Sequence, residues 1–227
     1  MSLKTSNLPF KARVDHEVHN TIMRKAVVKA QETIGANRQK MVDELGHWEE
    51  WRDLSKQIRN HVLANLDAYL YQLSEKVMGN GGKVYFAETA EEASAYIRKV
   101  ALEKNAKKIV KSKSMVTEEI GLNEVLEKEG MQVIETDLGE YLLQISGDKP
   151  SHIVVPAIHK DRHQIRKDLS EKLGYEGEET PEDMTRFVRE KIRQDFLEAD
   201  IGISGCNFAV AETGSVCLVT NEGNLRL

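Results

Sequence analysis

The chain has only two cysteines, Cys206 and Cys217, in 227 residues. Two thiols cannot staple a chain of this length into a disulfide framework. They are also too few for an iron–sulfur cluster, which takes four thiolates. The expected compartment is therefore the reducing cytoplasm. Long apolar runs are absent as well. None approaches the roughly 18 residues that a membrane span requires, and Met1–Phe10 lacks the apolar stretch of a signal peptide. The sequence has no GxxxxGK[ST], no GxGxxG and no HExxH, so it offers no P-loop, no dinucleotide fingerprint and no zinc-ligand pair. No metal site is expected. A basic balance is missing too: 32 basic against 37 acidic side chains give a net charge of −5. That argues against general nucleic-acid binding, which needs a basic face.

What is present is a soluble composition, 40% hydrophobic and 30% charged, with enough apolar material for a core. The first 40 residues hold 8 basic and 3 acidic side chains. They read either as a solvated helix face or as a docking surface for an acidic partner. Residues 1–80 read as a helical region. A first helix is expected over Val14–Ile34, ended by Gly35. A second, long one carries Trp48, Trp51, Leu54, Ile58, Val62, Leu66, Tyr69, Leu73 and Val77 at steps of three and four. This spacing predicts one apolar face packed into a core. Gly79-Asn-Gly-Gly82 stops the helix.

From residue 81 onward short apolar runs alternate with helical patterns. Strands are expected at 83–87, 107–111, 131–135 and 151–156. Helices are expected between and after them, one opened by the capping box Thr89-x-x-Glu92 and one, beyond the last of these strands, by Thr180-Pro181. This alternation predicts an α/β domain over 81–227 with a mainly parallel sheet. The tail from Asp200 is glycine-punctuated and strand-like, clearest at Val216–Thr220, and its two cysteines read as small buried residues. Asn221-Glu-Gly-Asn224 is a turn signal with three residues after it, which predicts a fragment of a longer chain.

Ligands of open α/β sheets bind beyond the carboxyl ends of the strands. Four groups are candidates there. Lys111, Ser112, Lys113 and Ser114 combine cations, hydroxyls and a helix start, which suits a carboxylate or phosphate; helix capping is the plainer reading. Asp137 and Glu140 are a carboxylate pair that can serve as acid and base if burial separates their pKa values, or Asp137 simply caps a helix. His159 is the best single proton-transfer candidate. Glu212, Thr213, Gly214 and Ser215 place a carboxylate, two hydroxyls and a glycine in a break between apolar runs, as a crevice-lining loop or as a plain turn. One crevice holding all four groups is expected, with His159 and Glu212 as catalytic candidates and the others binding substrate.

Five motifs in a fixed order carry a family resemblance: Ser112-Lys-Ser-Met-Val-Thr-Glu-Glu119, Glu135-Thr-Asp-Leu-Gly-Glu-Tyr141, Pro150-Ser-His-Ile-Val-Val-Pro-Ala-Ile-His159, Ala211-Glu-Thr-Gly-Ser215 and Thr220-Asn-Glu-Gly-Asn224. The chain resembles the lactate utilisation protein B family and, more broadly, its LUD domain. The resemblance implies a three-layer sandwich similar to the NagB/RpiA/CoA-transferase fold. It implies an iron–sulfur electron-transfer subunit that works with two partner subunits to oxidise L-lactate to pyruvate in the cytoplasm. The family's two [4Fe–4S] clusters would then lie beyond residue 227, with no cofactor in this chain, and the isolated fragment would be inactive. Two other functions stay open: a non-catalytic docking module for the partner subunits, and an acyl- or sugar-phosphate-handling enzyme of the same superfamily.

Overall fold

The computed structural model describes residues 8–152, 155–220 and 222–225. The chain divides into two compact units. One comprises Met1–Val27, Ala87–Gly205 and Thr220–Leu227, and the other Val28–Phe86 and Cys206–Val219.

The first unit is built on a parallel sheet of three strands, β1 (Lys108–Lys111), β2 (Gln132–Glu135) and β3 (Ile201–Ile203), in the order β2-β1-β3. Strand side chains alternate between faces, and the two faces bury different partners. Ile109 and Val133 pack with Ala101 of α5 (Ala90–Glu103) and with Leu122 and Leu126 of α7 (Leu122–Glu127). Val110 and Ile134 pack with Tyr141 and Leu142 of α8 (Leu138–Ser146), Leu169 of α9 (Arg162–Leu173) and Met184, Val188 and Ile192 of α10 (Pro181–Glu198). Helices therefore cover both faces of the sheet, a three-layer α/β arrangement preceded by helices.

The caps explain where these helices begin. Thr89 Oγ1 accepts from Glu92 N, and the Glu92 carboxylate reaches back to Glu88 N at 2.8 Å. Thr180 caps α10 with Pro181 in its first turn. Asp161 and Gln164 form a reciprocal capping box on α9. The start of β1 is held by Asp200, whose carboxylate accepts from the amides of Lys107 at 2.7 Å and Lys108 at 3.0 Å.

The second unit contains α3 (Trp48–Ala64), α4 (Leu66–Gly79) and an antiparallel hairpin of β4 (Phe208–Val210) and β5 (Ser215–Cys217). Gly214 turns the hairpin at φ +72°, where a Cβ would lie 2.7 Å from the Lys76 carbonyl carbon. Asn80 Nδ2 donates to the Thr213 carbonyl at 3.0 Å.

Several expectations are corrected. The first helix is two, α1 (Phe10–Val18) and α2 (Thr21–Leu45), and Gly35 lies inside α2. The long helix breaks at Asn65, which takes a non-helical φ of −129°. Its apolar stripe is not a core: no residue of α3 or α4 is buried, and Trp51 and Ile58 are 51% and 56% exposed. The helix after β1 is likewise two short ones, α6 (Met115–Glu119) and α7, separated by Gly121 in the left-handed region. Residues 83–87 form no strand. Of the strand expected at 151–156, Ser151, His152, Val155 and Pro156 form bends and a turn, and Ile153 and Val154 lie outside the described residues. The third parallel strand comes instead from Ile201–Ile203. Both cysteines are exposed rather than buried.

Candidate functional site

The carboxyl ends of β1 and β2 carry a buried polar cluster. Lys111 and Glu135 are partners on the last rung of the β1–β2 ladder, 0% and 2% exposed. Lys111 Nζ lies 2.9 Å from Glu135 Oε1 and 3.1 Å from Glu118 Oε1, and donates to Thr117 Oγ1 at 3.1 Å. Burial opposes the lysine's charge, but the Glu135 and Glu118 carboxylates overcome it and raise its pKa. An ammonium has three protons, and three acceptors surround this one. Lys111 thus acts as a strut between strand, helix and strand.

The remaining groups of this edge differ in their commitments. Ser114 caps α6, accepting from Thr117 N, and Ser112 is fully buried. Lys113 Nζ stands 3.7 Å from Asp137 Oδ2, with 28% of its side chain exposed. Asp137 caps α8 through Glu140 N. Glu140 is only 8% exposed. Burial, reinforced by the charges of Glu135 and Asp137, pushes its pKa up to about 8, so it holds a proton at neutral pH. Glu222 adds a carboxylate at the amino end of α8, accepting from Leu138 N at 3.2 Å. Burial raises its pKa, as does the nearby Asp137. Four buried atoms of this edge, Ser112 Oγ, Asn123 Oδ1, Glu135 Oε2 and Glu140 Oε2, make no hydrogen bond to any described residue. A protonated carboxyl, a carboxylate and a hydroxyl with capacity to spare are the equipment of proton transfer to a small polar ligand.

His159 belongs to another place in the same unit. Its Nδ1 lies 2.5 Å from Ser151 Oγ, and both residues line a cleft of about 470 Å³ with Arg13, His16 and Lys149. None of Lys111–Ser114, Asp137 or Glu140 lines that cleft. Glu212, Thr213, Gly214 and Ser215 belong to the second unit, in the β4–β5 turn. Glu212 is exposed there, and Thr213 Oγ1 donates to Ser215 Oγ at 3.0 Å. The expected groups therefore occupy the carboxyl edge, a separate cleft, and a hairpin turn.

The LUD domain family matches residues 70–227. This chain belongs to the LUD domain family. Every residue of it aligns with relatives twice as long. It is 73% identical over 227 residues to an uncharacterized electron transport protein, YkgF, of Escherichia coli (strain K12). It is 59% and 58% identical to lactate utilization protein B of Bacillus cytotoxicus and of Bacillus cereus (strain B4264). The chain spans 48% of the length of each. No solved structure matches it.

The residues of this LUD domain do not fit an iron–sulfur cluster. Its two thiols are exposed, with Cys206 Sγ 2.9 Å from the Phe208 carbonyl. Among the described residues no three histidines, cysteines or carboxylates are grouped to hold a metal ion. Glu118, Asn123 and Glu135 of the buried edge and Ser151 of the cleft are not among the sequence candidates. Glu135 carried a usable signal, an acidic residue ending an apolar strand beside one ending in lysine, but the pairing requires the strand register.

Proposed function

We propose that this LUD domain is part of an iron–sulfur electron-transfer subunit of a cytoplasmic complex that oxidises L-lactate to pyruvate. The observation that carries the reading is the 58–59% identity, over the whole chain, to proteins named for lactate utilisation. The electron transport name of the 73% identical relative points the same way. Electron carriage falls outside residues 1–227, which offer only two exposed thiols. The clusters of such a subunit would lie elsewhere in it, and two partner subunits would complete the complex.

Within this reading the carboxyl edge is a crevice for a small organic anion. Lys113, partly exposed and 3.7 Å from Asp137 Oδ2, supplies the charge, and Lys111 is the buried strut behind it. Glu140, protonated at neutral pH, is positioned to give a proton to a bound carbonyl or carboxylate. The docking-module reading is favoured by one feature, the exposed apolar face of α3. The test is growth. Removing the coding segment for this domain from the native gene should abolish growth on L-lactate while sparing growth on pyruvate. Equal growth on both would overturn the proposal.

A further inference from the structure

A larger cleft, of about 710 Å³, lies in the second unit along α3. Both tryptophans of the chain, Trp48 and Trp51, line it together with Leu63, which is 65% exposed. Its charges all have one sign. Arg52, Lys56 and Arg59 line it, whereas the three carboxylates of α3, Glu49, Glu50 and Asp53, do not. Helical spacing is the reason. At about 100° per residue the three cations fall within roughly 60° of arc, and Glu50 and Asp53 lie off that face. Arg52 is held by Glu49 at 2.7 Å. Lys56 and Arg59 form no ion pair or hydrogen bond with any described residue. Arg38 adds a guanidinium 5.4 Å from the centre of the Trp48 ring. The Trp48 indole N–H, shut away from solvent, meets no acceptor among the described residues.

Length and charge select the occupant. The lining runs from Trp48 to Leu63, about 22 Å along the helix at 1.5 Å per residue, which is too long for one small molecule. An anionic membrane is a poor match. A helix that lies on such a surface needs a basic excess, and α3 sets three carboxylates against its three lysine and arginine side chains. Nucleic acid would meet a chain of net charge −5. A second copy related by a two-fold axis would bring the same cations face to face. The complementary surface is a helix with an apolar stripe to cover Trp48, Trp51 and Leu63 and carboxylates along its border to meet Lys56 and Arg59.

We propose that the Trp48–Leu63 cleft of α3 docks an acidic amphipathic helix of a partner protein. Trp48, Trp51 and Leu63 cover the partner's apolar stripe, and Lys56 and Arg59, one turn apart, pair with its carboxylates. Tryptophan and arginine are the residue types that dominate the energetics of such contacts. The proposal rests on the docking reading of α3 and is independent of lactate as substrate.

The experiment titrates the full-length protein with a synthetic helical peptide of about 18 residues, leucine on one stripe and glutamate on both borders, and with a twin carrying lysine for every glutamate. The glutamate peptide is expected to bind, more weakly as salt is raised, and the lysine twin to bind about ten-fold or more weakly still. Lys56→Glu combined with Arg59→Glu should reverse that order of preference, a result that misfolding cannot produce. Trp51→Ala should weaken the glutamate peptide about ten-fold or more and leave its salt dependence in place. Circular dichroism checks that the helices persist. Lactate is absent from the titration, so failure of the growth test leaves this result standing, and failure here leaves the growth test standing. Equal affinity for the two peptides or a preference unchanged in the double variant overturns the proposal. So does binding to phosphatidylglycerol vesicles that the glutamate peptide fails to displace, or a dimer that the double variant abolishes.

Discussion

Lys111 and Glu135 face each other across adjacent parallel strands, 2.9 Å apart and shut away from solvent. Such a pair adds little to stability while intact, because desolvation offsets attraction. It is costly to break. Lys111→Met should destabilise the fold by about 3–5 kcal/mol, since it strands the Glu135 and Glu118 charges. Adding Glu135→Gln should recover part of that loss. Urea denaturation of the three proteins measures both effects, and a Lys111→Met protein as stable as wild type would contradict the strut.

Glu140 makes stability depend on pH in an unusual direction. Its folded pKa of about 8 lies above its ordinary value of 4.5, so the folded state binds the extra proton between those limits. Stability then falls as pH rises from about 5 to 8, by at most about 1.4 kcal/mol per unit, and levels off above. Glu140→Gln removes this slope and is relatively more stable at pH 9. Thermal melts from pH 5 to 9 check it, with a slope surviving in the variant as the contrary result.

Lys113 is the charged contact proposed for a small carboxylate. Lys113→Ala should weaken pyruvate binding by about 1.5–3 kcal/mol, the worth of one charge-assisted hydrogen bond. Calorimetric titration of wild type and variant reads this directly. Unchanged affinity would move the anion away from the carboxyl edge.

Gly214 combines a positive φ of +72° with the backbone of α4 pressed against its missing side chain. Gly214→Ala is strained twice over, by conformation and by contact. The expected result is faster amide exchange in 208–217 and at Lys76 and Val77, with β1 and β2 unaffected. Uniform exchange across the chain would show that the hairpin does not depend on this turn.

The parts of the fold that were legible depended on signals that local sequence carries. Val110 and Ile134 sit in short apolar runs bounded by polar residues, and Thr89 and Thr180 cap the helices α5 and α10. Residues 83–87 have equal strand propensity but join no sheet among the described residues, and propensity alone does not build one. Ile201–Ile203 has a glycine at its centre and only three residues, yet β1 offers it a ladder. The Trp51–Ile58 stripe marks an apolar face, and periodicity is silent on what covers it. At the site, Lys111 read as a ligand group because its partner lies 24 positions along the chain and only register joins them. Ser151 was invisible for a related reason: nothing local says that a turn at Pro156 brings it onto His159.

The grip of Asp200 on the start of β1 spans 92 residues of chain between Lys108 and Asp200. During synthesis, at roughly 5–20 residues per second, β1 emerges about 5–20 seconds before β3 can flank it. For that interval the middle strand of the sheet is an edge strand, with one row of amides and carbonyls open to any extended segment nearby. Its residues Ile109 and Val110 are among the most buried in the finished protein. The same order of events makes the domain a natural client for a chaperone that shields nascent strands.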